Sequence, residues 1–215
     1  MEYAYFDLET TGVEADTCKL KCGVLIVNGN EHIFYTAVDM VKYMSVHTDY
    51  VYVTFNGLSF DFRVLAAQCK ACNENDLAVM IAKLATGQRH IDIMFAFLAN
   101  YGYFASMDSF AQQLGCKKSW NGAEAAESDD IGAVVAYCID DVKVLQKVHE
   151  AAMLQSFLKR ASKMGRMSVW VFDANKLDVA CILQCLATAK PGQSWMTNPP
   201  NVPQDQVQWA RRLLN

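Results

Sequence analysis

Near the start of the chain an apolar, β-prone run, Tyr3-Ala4-Tyr5-Phe6, stops at Asp7-Leu8-Glu9 and a Thr10-Thr11-Gly12 turn. That ending constrains the fold more than any other feature. Side chains alternate faces along a strand, so Asp7 and Glu9 project from the same side. Carboxylates held that close repel unless a cation lies between them. The strand therefore begins inside an apolar sheet and opens, at its C-terminal end, onto a polar site.

The pattern downstream supplies the rest of a sheet. Lys19 to Val27 and His32 to Val38 are β-rich runs around Asn28-Gly29-Asn30, a strong hairpin signal, which makes the first three strands antiparallel neighbours. Met40 to Met44 reads as a short helix and Tyr50 to Phe55 as a buried strand stopping at Asn56-Gly57, after which Ser59 caps a helix through Phe62, Leu65 and Ala66. Helical apolar spacing recurs over Asn75 to Ala85 and Ser106 to Leu114, with His90-Ile91-Asp92-Ile93 a short fifth strand between them. Asp129 through about Lys163 keeps a stripe over Ile131, Val134, Val135, Cys138, Val142, Leu145 and Val148, enough for one long or two abutting helices. Ser168 to Phe172 reads as a strand, Lys176 to Ala187 as a helix, Thr197 to Pro203 as an extended connector and Asp205 to Leu214 as a last helix. No internal repeat or linker splits the chain.

With 53% hydrophobic and 20% charged residues, and 11 Gly and 4 Pro in 215, a disordered or low-complexity chain is excluded and one elaborated domain is expected. The net charge of -4 excludes affinity built on a broad cationic surface, so any nucleic acid is met by a local patch or through bound metal. The eight cysteines include a Cys69/Cys72 CxxC and the CxxxC pairs Cys18/Cys22 and Cys181/Cys185. Without a second CxxC or a His pair at finger spacing they read as reduced core residues of a cytosolic protein, not as a disulfide scaffold or zinc site. No signal-peptide pattern and no run of about 18 apolar residues appears, so the expectation is a soluble, cytoplasmic protein away from membranes.

Two further carboxylate positions join the first pair. Asp61 follows the second apolar strand in Asn56-Gly57-Leu58-Ser59-Phe60-Asp61, at a helix start where the dipole favours an acid. Tyr137-Cys138-Ile139-Asp140-Asp141 lies inside the long apolar-periodic helix, with Tyr137 and Asp141 one turn apart. Asp140 is on nearly the same face, and helix geometry leaves both acids open.

In that order the motifs FDLETTG (6–12), NGLSFDFRVL (56–65) and YCIDDVKVL (137–145) resemble the DEDD superfamily of 3'-5' exonucleases, the ribonuclease H-like group that includes DnaQ and polymerase proofreading domains. The YCxxD form is most similar to the proofreading domains of family B DNA polymerases. Ser106 to Gly115 likewise resembles the superfamily's (S/L)-x-D-x-x-A-x-x-L-G helix. The resemblance runs from about residue 3 to 150. It implies an α/β fold, a ribonuclease H-like mixed five-stranded sheet in order 3-2-1-4-5 flanked by helices, with a helical C-terminal extension. The expected division is an exonuclease domain over 1–165 and an extension packed on it over 166–215.

The resemblance also implies the site. Because position 136 is Ala and 137 is Tyr, the chain looks like the tyrosine subtype, with Asp141 rather than Asp140 as the last ligand. Asp7, Glu9, Asp61 and Asp141 are then the ligands of two divalent cations, Mg²⁺ or Mn²⁺, and Tyr137 orients the attacking water. Hard cations suit such oxygen donors. Thr10 and Thr11 would lie beside the terminal nucleotide, and Asn56 and Phe60 would face the substrate strand. The implied activity is hydrolysis of single-stranded DNA or RNA from its 3' end to nucleoside monophosphates, in DNA replication or repair. The rivals are a ribonuclease H-type endonuclease and a non-catalytic nucleic-acid-binding or replisome-interaction module. Outside these motifs, His90 and Asp92 read as strand-end hydrogen-bonding residues or as a pair that supports the metal ligands from behind. Lys159, Arg160, Lys163 and Arg166 read as a solvated helix face or a phosphate track, and Trp195 and Trp209 as packing anchors or base-stacking residues.

Overall fold

The strands β1 (Tyr3–Thr10), β2 (Leu20–Val27), β3 (Asn30–Phe34), β4 (Val51–Thr54) and β5 (His90–Asp92) form one sheet in the order β3-β2-β1-β4-β5. The computed structural model describes residues 2–116, 122–161, 167–171, 177–191 and 202–214. β1 runs antiparallel to β2, β2 antiparallel to β3, and β4 lies parallel to both β1 and β5. The β2–β3 loop is two residues long with φ of 50° at Asn28 and 77° at Gly29. Left-handed values at both positions are those of a type I′ turn, whose twist matches the strands it joins.

Around the sheet lie α1 (Ala37–Val46), α2 (Asp61–Ala71), α3 (Asn75–Ala85), α4 (Ile93–Tyr101), α5 (Met107–Ala111), α6 (Gly122–Glu127) and α7 (Ile131–Gln155). Opposite faces of β1 meet different helices. Phe6 packs edge-on against Phe62 of α2, with ring centroids 5.1 Å apart, while Tyr5 hydrogen-bonds through its hydroxyl to His149 Nδ1 of α7 at 3.0 Å. Residues of odd number on β1 thus face α7, and Asp7 and Glu9 are among them.

Beyond α7 come a two-stranded antiparallel ribbon, β6 (Phe157–Ala161) and β7 (Met167–Val171), then α8 (Val179–Thr188) and α9 (Gln204–Leu214). The ribbon straddles residue 165. α8 packs on α4 and β5, α9 packs on α8, and Trp209 of α9 stacks on Phe95 of α4 at 5.0 Å.

Several elements differ from the sequence reading. The third strand stops at Phe34 rather than Val38, because Thr36 accepts a hydrogen bond from Asp39 N (3.1 Å) and caps α1. Ser59 does not cap α2: Phe60 occupies the cap position with no side-chain bond, and the Ser59 hydroxyl donates instead to Asn56 Oδ1. α4 was not expected, since five of its nine residues, Ile93, Phe95, Ala96, Phe97 and Leu98, are buried and leave little amphipathic period to read. The long helix ends at Gln155, not near Lys163, where Ser156 turns left-handed (φ 56°) and the chain enters β6. The helix expected from Lys176 begins at Val179, capped by Asp178, whose carboxylate accepts from Cys181 N at 3.0 Å. Lys163, Arg166, Trp195 and most of the 197–203 connector lie outside the described residues. Among the described residues no helix is long and apolar enough to cross a membrane.

Candidate active site

β4 pairs with β1 only over Tyr3 to Tyr5, so beyond that point the β1 edge is open to the segment that follows β4. That segment turns sharply. Asn56 has φ 74°, and Gly57 passes so close to Thr54 that a Cβ there would meet the threonine side chain at 2.6 Å. The turn is held by a buried acid. Asp92 accepts hydrogen bonds from the N–H groups of Asn56 (3.1 Å), Leu58 (2.9 Å) and Phe95 (3.2 Å) and from the Thr54 hydroxyl (3.3 Å). Thr54 Oγ1 also meets His90 Nε2 at 2.7 Å, and His90 Nδ1 meets Ala85 O at 2.7 Å. His90 and Asp92 therefore fill the strand-end role expected of them.

The turn delivers Asp61 to the first residue of α2, buried and beside Asp7. From the other side α7 lays Tyr137, Cys138 and Asp141 against the sheet, all buried, and leaves Asp140 exposed. The structure thus separates two acids that helix geometry left open. The tightest knot is Asp7, Glu9 and Cys138, each of which offers a ligand atom within 4.8 Å of the others.

Crowding shows in the proton affinities. Burial, then the charges of Asp7 and Asp141, push the Glu9 carboxyl up to about 9. Burial and Asp7 hold Asp61 well above the usual carboxylate range, although N–H groups of Asp61 itself and Leu8 pull the other way. Burial and a hydrogen bond to Asp141 raise the Tyr137 phenol, so its proton stays on oxygen and points to that carboxylate. The free thiol of Cys138 lies in hydrogen-bond contact with that of Cys22 and donates to the Asp7 carbonyl at 3.5 Å, and the Cys22 contact together with burial raises it.

A cavity of about 340 Å³ opens over the acids, lined by Asp7, Asn56, Ser106, Asp108 and Asp141 among others. The structure places the remaining expected contacts unequally. Asn56 faces this cavity. Thr10 is buried and donates to Gly12 O (2.6 Å), and Thr11 Oγ1 accepts from Lys19 N (2.9 Å), so both hydroxyls are engaged in the turn after β1. Phe60 is half-buried and packs against the hydrophobic core. Arg160 is not on a helix face; it bonds Ser109 Oγ (3.3 Å) and Tyr103 OH (3.1 Å) and lies over the Phe97 ring. Cys138 was read as part of the apolar stripe and of the YCxxD motif but given no role at the acids, and nothing in either marks its thiol as lying beside Asp7 and Glu9.

The donors fit hard divalent cations. Asp61 Oδ1 is buried with no hydrogen-bond partner among the described residues, and several carboxylates share a space that repulsion keeps partly protonated without a positive charge. The raised Cys138 thiol is a poorer donor for such ions than the oxygens around it.

Comparison with known proteins agrees with this architecture. A family model, RNase_H_2 of the RNase_H superfamily, matches residues 4–153. Among solved structures, the family B DNA polymerase from the hyperthermophilic archaeon Pyrobaculum calidifontis is similar, with a TM-score of 0.55 and 14% identity over 71% of this chain and 24% of that one. The likeness is one of fold, and the present chain spans about a quarter of the polymerase's length. No curated protein matches the chain in sequence.

Proposed function

This chain belongs to the RNase_H superfamily, and on that premise we propose that it is a metal-dependent 3'-5' exonuclease of the DEDD type, tyrosine subtype, acting on single-stranded nucleic acid. The observation that carries the reading is the gathering of Glu9 of β1, Asp61 at the start of α2 and Asp141 of α7 about Asp7, beneath an open cavity that Asp7 and Asp141 line, with Tyr137 hydrogen-bonded to Asp141. Such a set suits phosphodiester hydrolysis.

In this reading Asp7, Glu9, Asp61 and Asp141 hold two divalent cations, Mg²⁺ or Mn²⁺, which when bound supply charge neutralisation at the phosphate and activation of water. The chain's own contribution is positional. α7 fixes Tyr137 and Asp141 one turn apart, so that the phenol, its proton retained, can hydrogen-bond and aim the attacking water. Asn56 borders the cavity as a contact to the strand. Thr10 and Thr11 shape the turn beside the terminal nucleotide, and Phe60 braces the start of α2. Residues 1–165 form the catalytic unit and 166–215 an extension packed on it.

The test is a 5'-labelled oligonucleotide incubated with the full chain and Mg²⁺ or Mn²⁺. A ladder shortening from the 3' end with release of nucleoside monophosphates is expected. A few internal cuts would favour the endonuclease reading, and a mobility shift without cleavage would replace the enzyme with a binding module.

A further inference from the structure

A second cleft, of about 250 Å³, adjoins the catalytic cavity and shares Asn56 and Met94 with it. Its far wall is α9, which lies outside the residues matched by the family model. The lining has an unusual composition for a protein surface. Phe104 is 43% exposed, the half-buried Trp209 borders the cleft while stacking on the Phe95 ring, and Ser59 and Asn56 supply polar atoms. Arg212 adds an exposed guanidinium with no ion-pair partner among the described residues. Its neighbour Arg211 is engaged with Ala187 O at 2.8 Å, and the one acid in the cleft, Asp205, accepts from the Gln206 amide at 2.9 Å.

Exposed aromatic faces beside an uncommitted arginine are what a flexible single strand selects: bases stack on the rings and a phosphate pairs with the guanidinium. Duplex DNA, its bases already stacked on one another, gains nothing from the rings. Continuity decides the role, because a strand whose terminal phosphodiester lies over Asp7 and Asp141 can lay an adjacent nucleotide into the second cleft without leaving the protein surface.

We propose that α9 forms a strand-holding subsite for single-stranded nucleic acid, in which Phe104 and Trp209 stack bases next to the scissile nucleotide and Arg212 pairs with a phosphate. The proposal rests on the nuclease reading and assigns a substrate-binding role to a helix outside the family match.

Two variants test it, Arg212→Glu and Phe104→Ser, with Lys147→Ala, an exposed cation on α7, as the charge control. Binding of a fluorescein-labelled thymidine decamer is followed by anisotropy across a salt series, and cleavage of the decamer is compared with that of a thymidine dinucleotide. Each variant is expected to weaken decamer binding on the order of tenfold, the scale of one lost stack or charge contact. For Arg212→Glu the slope of log K against log salt should fall by about 0.7, one phosphate's worth for a single strand. The loss in kcat/KM should be larger for the decamer than for the dinucleotide. Wild-type cleavage together with undiminished decamer binding in both variants would overturn the subsite alone. An equal loss in Lys147→Ala would reduce the effect to net charge and overturn it as well. A wild-type chain that neither binds nor cleaves the decamer would overturn the nuclease reading and the subsite with it.

Discussion

The charge of Asp7 reaches Glu9, Asp61 and Tyr137, and its removal separates catalysis from stability. In Asp7→Ala, hydrolysis should be abolished while the metal-free protein melts at the same temperature or higher, because the repulsion that adds to burial in raising Glu9 and Asp61 is relieved. Linkage gives this a pH signature. Glu9 moves from 4.5 to about 9 on folding, so between those values the native state holds more protons than the unfolded chain and stability falls as pH rises. His90 and His149 work the other way: both drop to about 4 by burial, which makes stability rise with pH between there and 6.5. The metal-free melting temperature should therefore decline from about pH 6.5 to 9, and Asp7→Ala or added Mn²⁺ should flatten that limb. An unchanged limb in the variant would show that burial and the other acids, not Asp7, hold Glu9 up. For the α7 residues, Tyr137→Phe should lower the rate on the order of 10²-fold while retaining metal affinity, the scale of general acid-base assistance. Asp140→Asn, at an exposed position, should be mild beside Asp141→Asn. Strand parity put Asp7 and Glu9 on one face of β1, whereas Asp61 and the choice of Asp141 over Asp140 came only from the order of the motifs, since helix spacing left both α7 acids open. Thr10, Thr11 and Phe60 were less legible: whether a hydroxyl faces substrate or its own turn depends on hydrogen bonds such as that of Thr10 to Gly12, which no motif encodes.

Among the elements, the turn between β4 and α2 carries the most consequence, since it places Asp61. Asp92 is its anchor, with three backbone N–H groups depending on one carboxylate. Asp92→Ala should cost at least about 3 kcal/mol in denaturant unfolding, as each buried donor left unsatisfied costs ~1–3 kcal/mol. It should also lower activity although Asp92 touches no substrate. Gly57→Ala should be destabilising by roughly 1–3 kcal/mol, because its Cβ has nowhere to go beside Thr54. Stability and rate unaffected by either change would mean that the turn does not position Asp61. The sheet strands were readable from β-rich runs and turn residues, and so was the β2–β3 hairpin. Element ends were not. β3 yields to α1 at a Thr36 cap, and α7 yields to β6 at Ser156 even though the apolar residues continue through Phe157 and Leu158, so hydrophobicity alone reports no change of period there.

At the scale of the whole molecule, the hairpin made the first three strands neighbours and the resemblance supplied the rest of the sheet order, whereas nothing in the sequence placed α9. Its sequence shows an amphipathic helix, and an amphipathic helix names no partner; packing on α8, the Arg211 bond to Ala187 O and the Trp209–Phe95 stack set it beside the catalytic cavity. The charge distribution that results bears on substrate form. With a net charge of -4, and with Arg160 and Arg211 already committed to internal hydrogen bonds, few cations among the described residues remain to oppose a phosphate backbone near the site. Opening a paired end costs stacking of ~1.4 kcal/mol per step, and an acidic chain has no broad cationic surface with which to offset it. Single-stranded DNA, 3' overhangs and mismatched ends should therefore be trimmed faster than blunt duplex. The rate at limiting substrate should also fall steeply with salt, since even a few phosphate contacts release counterions. Matched 3'-labelled single strands and blunt duplexes, assayed in the same metal and salt, decide the matter. Equal rates would mean that some part of the chain separates strands, and α9, at the border of the cavity, would be the first place to look for it.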